Sequence, residues 1–493
     1  MKLSRIALAA AALAATGSAF AVVGAPASDI LHITGSSATG INVAKSLSLL
    51  CDAAAGAPNS LTIYKQTTTT DTLGNVWTAD CAVKFVAQST TAGAAKVYSQ
   101  VRVNTAGSAS AITAITTATT FVDPAAITGS NNIAAAGSLG FLSTLGQLKS
   151  VTAGTVSETS DGGFLDVEPA MFTAIGNTIA VPVASQLQAT KYLQTFGIAV
   201  SSQLYNALQA YQVAKGQLSA ACATASANGV DGNGNPITLY TATGDTTPAC
   251  QPSISRAQVA AYLSTANNLA KKAGVNFLFG STAAAVANDL PSTAQISPSP
   301  AAGTKIAYVR RNNSSGTYVG SIEYFLNNPI GGTTTVGGSL AATGSNTTGT
   351  TTNVSLLAAY TATGSGDVVS VLNDPVTKPT AAPLNTAYAF APLSAENNPI
   401  GTSDAYRFVK LNNNYIADGV AGAGQTAEAQ AGRYDYVYEL VKYGASTATL
   451  GALNAIENAL AAGQSSPGLF LTTESSFSRG GVRKNTNPYG VFK

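Results

Sequence analysis

Residues 305–326 read KIAYVRRNNSSGTYVGSIEYFL. Ile306 to Val309 are a short apolar run of the kind that fills a buried strand. Arg310, Arg311, Asn312, Asn313, Ser314, Ser315, Gly316 and Thr317 follow as a polar loop, and then Val319, Ile322 and Leu326 fall at helical spacing. A strand, a loop of small residues and a helix start together form an anion site. The first N–H groups of a helix have no internal partner, and the helix dipole puts partial positive charge there. Ser and Thr hydroxyls add donors, Gly316 allows close backbone approach, and an arginine supplies a full charge. A plain strand-to-helix turn with a serine cap looks the same in sequence.

A second copy near the N-terminus favours the anion-site reading. Ile30 to Thr34 are another apolar run, Gly35-Ser36-Ser37-Ala38-Thr39-Gly40 follow, and Val43, Leu47 and Leu50 continue at helical spacing. The pattern predicts a third unit: strand Cys81 to Val86, loop Ser89-Thr90-Thr91-Ala92-Gly93, helix Ala94 to Val101. A weaker fourth opens at Gly364-Ser365-Gly366-Asp367 and runs as a helix through Leu372. Loops of one kind, far apart in sequence, can face one ligand.

The rest of the chain frames these loops. Lys2 and Arg5, the apolar run Ile6 to Ala15 and Ala19-Phe20-Ala21 predict a secretory signal over residues 1–21. That run is too short to span a bilayer, and no later stretch reads as a membrane helix, so a soluble, exported protein is expected. Without Lys2 and Arg5 the 25 basic residues become 23, matching 23 acidic ones. A neutral chain with 10% charged residues gives no support for nucleic acid or an anionic membrane as partner. Cys51, Cys81, Cys222 and Cys250 read as two disulfides in an exported protein. Three connectivities exist, and the sequence-local one is preferred. There is no Cys-x-x-Cys and His32 is the only histidine, so neither a metal centre nor a cofactor is expected.

Between the loops, 53–80 read as polar loop, 105–122 as strand or loop, and Asp161 to Pro169 as a solvated turn with three carboxylates. Ile179 to Val183, Gly197 to Val200, Arg407 to Leu411 and Tyr434 to Tyr443 read as strands, and Ser201 to Ala214 as a helix. A further helix, Ser255 to Ala270, begins with a Ser255/Gln258 capping box. Residues 215–252, stapled by Cys222 and Cys250, and the 36 uncharged residues 331–366 read as β- or loop-rich insertions. The tail 475–493 reads as extended. Alternating strands and helices imply an α/β fold with largely parallel sheets and a ligand at the strands' carboxyl ends.

The ordered set of motifs resembles the periplasmic phosphate-binding proteins of ABC transporters, within the type II periplasmic-binding-protein superfamily. IAYVRRNNSSGTYVGSIEYFL at 306–326 is similar to that family's strand, Arg, Asp-Gly-Ser-Gly-Thr loop and helix, and ITGSSATG at 33–40 to its Thr-Gly-Ala-Gly-Ala-Thr-Phe loop. LDVEP at 165–169, GIAVSSQLY at 197–205 and GSGDVVSVL at 364–372 resemble later landmarks in the same order. The resemblance implies two lobes with a cleft between them: residues 22–196 with 436–493, and 197–435. It implies a phosphate or related oxyanion as ligand, held by Ser37, Thr39, Thr91 (or Thr90), Arg311, Ser315, Gly316 and Thr317. Asp166 would accept the proton of hydrogen phosphate and repel sulfate. It also implies an ABC permease as partner, a monomer, and a periplasmic or secreted location. Asn313 and Ser314 stand where the family has Asp and Gly, so Arg311 is expected to keep more net positive charge toward the ligand. Gly40 stands where the family has Phe.

Two other functions compete. A surface or matrix protein could reuse the fold with a degenerate cleft. A hydrolase would need a base, and His32 in the first strand reads as a packed histidine; Asp166 and Glu168 are the other acid–base pair on offer.

Overall fold

The computed structural model describes residues 29–52, 61–66, 73–87, 96–105, 107–135, 139–142, 146–175, 177, 179, 184–230, 234–264, 269–280, 300, 304–326, 356–378, 386–400, 402–416, 426–460 and 468–474. The strands in chain order are β1 (Ile30–Gly35), β2 (Leu61–Lys65), β3 (Val76–Ala87), β4 (Lys96–Asn104), β5 (Thr119–Val122), β6 (Ser130–Ile133), β7 (Gly146–Val151), β8 (Thr155–Glu158), β9 (Gly162–Leu165), β10 (Leu187–Val200), β11 (Ala223–Val230), β12 (Pro236–Ala242), β13 (Ser253–Ile254), β14 (Ile306–Arg311), β15 (Leu357–Ala362), β16 (Ala389–Ser394), β17 (Arg407–Leu411), β18 (Val437–Gly444) and β19 (Leu469–Leu471). The helices used below are α1 (Gly40–Asp52), α2 (Ser110–Thr113), α3 (Pro169–Ala174), α4 (Ser202–Ala214), α5 (Arg256–Leu263), α6 (Leu269–Ala273), α7 (Gly316–Leu326), α8 (Ser365–Asn373) and α9 (Thr447–Ala459).

Most strands join one mixed sheet in the order β15-β14-β16-β10-β18-β9-β1-β4-β3-β2-β7-β6. β1 runs parallel to β4 and β9, and β14 parallel to β15 and β16. The long β10 ties these groups together. Leu187–Ala189 and Leu193–Thr195 pair antiparallel with β18, whereas Phe196–Val200 pair antiparallel with β16. Two large apolar clusters lie against the sheet. One gathers Ile33, Val43, Leu47, Trp77, Val101, Val103, Leu453 and Ile456 around β1, β3, β4, α1 and α9. The other gathers Ile198, Leu204, Tyr262, Tyr308, Val319, Val368, Phe390 and Val441 around β10, β14 and β16 with α4, α5, α7 and α8. Each such side chain contributes about 1.5–3 kcal/mol by leaving water. The disulfides are Cys51–Cys81, which ties α1 to β3, and Cys222–Cys250, which closes the base of the β11–β12 hairpin.

Several expectations are corrected. The sheet is mixed rather than largely parallel, because β10 is antiparallel to β16, β17, β18 and β19 and because β3 and β4 form an antiparallel pair. Residues 96–101, expected in a helix, belong to strand β4: pairing with β1 and β3 and burial of Tyr98, Val101 and Val103 override the local helical spacing. The expected loop 53–80 contains β2 and the start of β3, and 105–122 contains α2 and β5. The helix expected over 255–270 ends at Leu263, where Ser264 turns extended, and Leu269 opens a separate helix. Its capping box is present, with Gln258 N donating to Ser255 Oγ at 3.1 Å and Ser255 N to Gln258 Oε1 at 2.8 Å. Leu357–Ala362 is a strand of the main sheet, so the expected insertion 331–366 does not extend through it. The loop 89–93 with Thr90 and Thr91, most of the expected strand 179–183, residues 331–355 and the tail 475–493 lie outside the described residues.

The turn expected at 161–169 is buried from Gly162 onward, and its first part, Gly162–Leu165, is strand β9. A Cβ on Gly163 would stand 1.6 Å from the Thr34 carbonyl oxygen, so only glycine lets β9 close on β1. Arg310 and Arg311, expected in a loop, are the last two residues of β14 and are buried, because β15 continues the pairing as far as Arg311↔Ala362.

Candidate functional site

Parallel neighbours end at the same edge of a sheet. The carboxyl ends of β1, β4 and β9 therefore share one edge, and those of β14 and β15 share one. Hydrogen bonds bring the loops beyond these ends together. Ala109 N donates to the Ser314 carbonyl at 2.9 Å, and Asn177 Nδ2 donates to the Asn313 carbonyl. Short helices or helix starts follow four of the strands: Ser37–Thr39 leading into α1, then α2, α7 and α8.

Asp166 sits at the centre, 2% exposed, one residue beyond β9. Its carboxylate accepts from Ser36 Oγ, from Ser108 Oγ at 3.0 Å and from the Thr317 backbone N–H in the first turn of α7. Ser108 Oγ also accepts from Asp166 N at 3.2 Å. Burial pushes the Asp166 carboxyl up, while the bonds from Ser36 and Ser108, the charge of Arg311 and the Thr317 N–H act in the other direction. Gly316 leaves the space this carboxylate occupies; a Cβ there would stand 2.6 Å from both Asp166 Cβ and Ser108 Oγ.

Arg311 is the buried cation of the cluster, 2% exposed. Its Nη1 donates to Ser365 Oγ at 2.7 Å and to Ser37 Oγ at 3.1 Å, and the two serine hydroxyls are 3.0 Å apart. Ser365 is the first residue of α8, whose Asp367 accepts from the N–H groups of Thr363 and Gly364, each at 3.0 Å. Burial lowers the guanidinium pKa, and the carboxyls of Asp166, Asp367 and Glu396 oppose that shift. The counter-charges of Arg311 thus come from the β9, α8 and β16 ends. Asn313 instead accepts from Arg310, whose guanidinium also lies 3.9 Å from the Tyr318 ring centroid.

Thr39, Ser315 and Thr317 are buried beside these groups. Thr39 Oγ1 donates to the Ser36 carbonyl at 2.9 Å and Ser36 Oγ accepts from Ala38 N at 3.0 Å, so Thr39 and Ser36 shape the helix start. The Ser315 carbonyl accepts from Val319 N at 3.1 Å in the first turn of α7. Ser36 and Ser365 lie in loops expected to face an anion but are not among the expected ligand residues, and Ser108 and Glu396 are absent from the sequence expectation. Ser108 had a signal: Val101 to Ser110 read VRVNTAGSAS, a β-branched strand followed by a hydroxyl- and glycine-rich loop. Among the described residues, a strand, a loop of this kind and a short helix follow one another at β4, 105–109 and α2.

The arrangement presents a buried guanidinium, hydroxyls and helix N-termini around a buried carboxyl. Groups of these kinds are the ones that can hold and orient an oxyanion. His32 lies apart from it: its N donates to Asp161 Oδ2 at 2.9 Å, its Nδ1 is 3.6 Å from the same oxygen, and its ring meets Phe121 edge-on. Ser160 Oγ contacts the His32 carbonyl, not the imidazole, so no Ser–His pair forms there. Among the described residues no group of three His, Cys, Asp or Glu is placed to hold a metal, and no helix is long and apolar enough to cross a membrane.

No protein-family model matches the chain, and no curated protein matches it. Among solved structures, the chain is similar to one from Clostridium perfringens of a protein assigned as a phosphate ABC transporter substrate-binding protein, with bound phosphate. The identity is 9%, the match covers 87% of this chain and 91% of that one, and the TM-score is 0.33. Neither fold nor function of this chain rests on so loose a superposition.

Proposed function

We propose that this protein binds a small tetrahedral oxyanion, inorganic phosphate first among them, as an exported solute-binding protein and not as an enzyme. The observation that carries the reading is Arg311, whose buried guanidinium bonds Ser37 and Ser365, two serines at helix starts 328 residues apart. A ligand reaching Arg311 meets those hydroxyls, the start of α7 at Ser315, Gly316 and Thr317, and the turn at Thr39. Asp166 beside them accepts the proton of a hydrogen-bearing anion and disfavours one without it. Thr91 joins this set as part of the proposal. Residues 22–196 with 436–493 form one lobe and 197–435 the other, hinged where β10 passes from β18 to β16. An ABC permease would be the partner of such a monomeric periplasmic receptor.

A second reading has its own support. The polar groups of the cluster already satisfy one another, Ser37 with Ser365 and Asp166 with Ser36 and Ser108. A protein whose cleft had lost its ligand and served a surface or matrix role would keep such a self-bonded cluster.

Calorimetric titration of phosphate into the mature protein, unfolded and refolded to strip bound anion, separates the two. Repeats carry excess sulfate or the Arg311→Ala substitution. Micromolar binding that survives sulfate and disappears in the variant is expected. No heat with either anion, in a protein shown to be folded, sinks the oxyanion reading and leaves the second.

A further inference from the structure

Trp77 is the single tryptophan of the chain and stands on β3, opposite Lys65 of β2 and Val103 of β4. Its side chain is 0% exposed and belongs to the apolar cluster that also holds Val43 and Leu47 of α1. The indole nitrogen, Nε1, is buried and has no hydrogen-bond partner. A buried indole N–H usually finds an acceptor, and leaving it without one is costly. That nitrogen faces Gly40, the first residue of α1. A Cβ built on Gly40 would stand 4.0 Å from Trp77 Nε1 and 3.8 Å from Thr105 Cγ2, and would meet nothing closer among the described residues. Gly163 and Gly316 differ, since a Cβ on either would collide at 1.6 Å and 2.6 Å. The backbone of Gly40 is right-handed helix, φ -56° and ψ -48°, which any residue adopts. Neither packing nor conformation requires glycine here; the missing side chain leaves a space in front of the indole N–H.

The space adjoins the anion site from two sides. On one side the Gly40 N–H donates to the Ser37 carbonyl, and the Ser37 hydroxyl accepts from Arg311 Nη1 at 3.1 Å. On the other stands Asn75, two residues before Trp77, whose Nδ2 lies 2.6 Å from where a Cβ on Gly364 would be. Gly364 precedes Ser365, the hydroxyl that accepts from Arg311 Nη1 at 2.7 Å. Thr105 N donates to the Asn75 carbonyl at 2.7 Å and so fixes the end of β3 beside the space. Resting on the oxyanion reading of this site, we infer that the Trp77 indole N–H is a further ligand donor that sets specificity: an oxygen of the bound anion enters the space beside Gly40 and accepts it. The indole N–H is neutral and donates only. It selects for a ligand that brings an acceptor atom to this corner, and unlike Asp166 it makes no demand on the anion's proton. Burial strengthens such a bond because water does not compete for it.

Because Trp77 is the sole tryptophan, its emission reports on this corner alone. The test is titration of inorganic phosphate into the mature protein, followed by tryptophan emission and by calorimetry, with calorimetry repeated on Trp77→Phe and Gly40→Ala. Phosphate should change the emission with the same midpoint as the heat. Trp77→Phe keeps an aromatic ring, loses the donor and should bind phosphate about tenfold more weakly. Gly40→Ala fits without a clash and suits a helix better than glycine, so its stability in urea should match or exceed wild type. Its methyl stands where the anion's oxygen would, so its phosphate binding should also weaken about tenfold. Wild-type phosphate affinity in either folded variant overturns this inference and leaves the oxyanion reading standing. Absence of phosphate binding in the folded wild-type protein overturns both.

Discussion

Gly316 rests against Asp166. A Cβ at position 316 would come within 2.6 Å of Asp166 Cβ and 2.8 Å of its Oδ2. The start of α7 is thereby held against a buried carboxylate that accepts the Thr317 N–H. Helix start and carboxylate are complementary in charge, and the missing side chain lets them meet.

Gly316→Ala forces that contact apart. The added methyl meets Asp166 and Ser108, neither at the end of a long flexible chain, so overpacking of about 1–3 kcal/mol is expected, with loss of anion binding. Urea denaturation and calorimetry read the two effects. An alanine variant as stable as wild type that binds phosphate unchanged contradicts this geometry.

Ser108→Ala removes a donor to Asp166 Oδ2 and an acceptor for Asp166 N. A loss of roughly 2 kcal/mol is expected from the orphaned groups. The loss depends on pH. Asp166 already titrates above 3.8 in the folded state, and removing a donor raises it further. A folded-state carboxyl with a raised pKa weakens the fold as pH climbs above the unfolded value. Ser108→Ala should therefore lose more stability at pH 8 than at pH 4; equal losses at both would show that Asp166 does not depend on Ser108.

Asp80 is a second buried carboxyl, 1% exposed, on β3 opposite Thr62 and Gln100. Burial pushes it up to about 7 from 3.8, with Gln100 and Lys149 acting in the other direction. Wild-type stability should fall between pH 3.8 and about 7 as folding comes to require an ionised or newly protonated Asp80. Asp80→Asn should be the more stable protein at pH 8, by up to roughly 4 kcal/mol, and lose that advantage toward pH 4. Thermal melts of both proteins across this range decide the matter, and an Asn variant that is less stable at pH 8 rules it out.

Lys442 on β18 and Glu457 on α9 form an ion pair in which each side chain is 5% exposed. Glu457 also accepts from the Lys191 backbone N–H at 2.5 Å. Lys442→Met leaves that carboxylate buried without its cation and should cost about 3–5 kcal/mol. The double variant Lys442→Met, Glu457→Leu should recover part of the loss. No recovery in denaturant titrations would mean that the backbone bond, not the charge, holds α9 to the sheet.

The sequence by itself determined the local units and their order. The apolar runs at 30–34 and 306–309, the hydroxyl-rich loops after them and the helical spacing beyond map onto β1 with α1 and β14 with α7. Strand 407–411, helix 201–214, the Ser255 capping box and the two sequence-local disulfides were legible for the same reason: each depends on residues close along the chain. Tertiary structure decided what depends on distant partners. Residues 96–101 became a strand because β1 and β3 lie on either side of them. Asp166 became buried because Gly163 lets β9 close on β1, and Ser108, Ser36, Ser365 and Glu396 became site residues because their strands end beside those of Asp166 and Arg311. Hydrophobic spacing reports which face of a segment is apolar, but which strands neighbour one another follows from burial summed over the whole sheet.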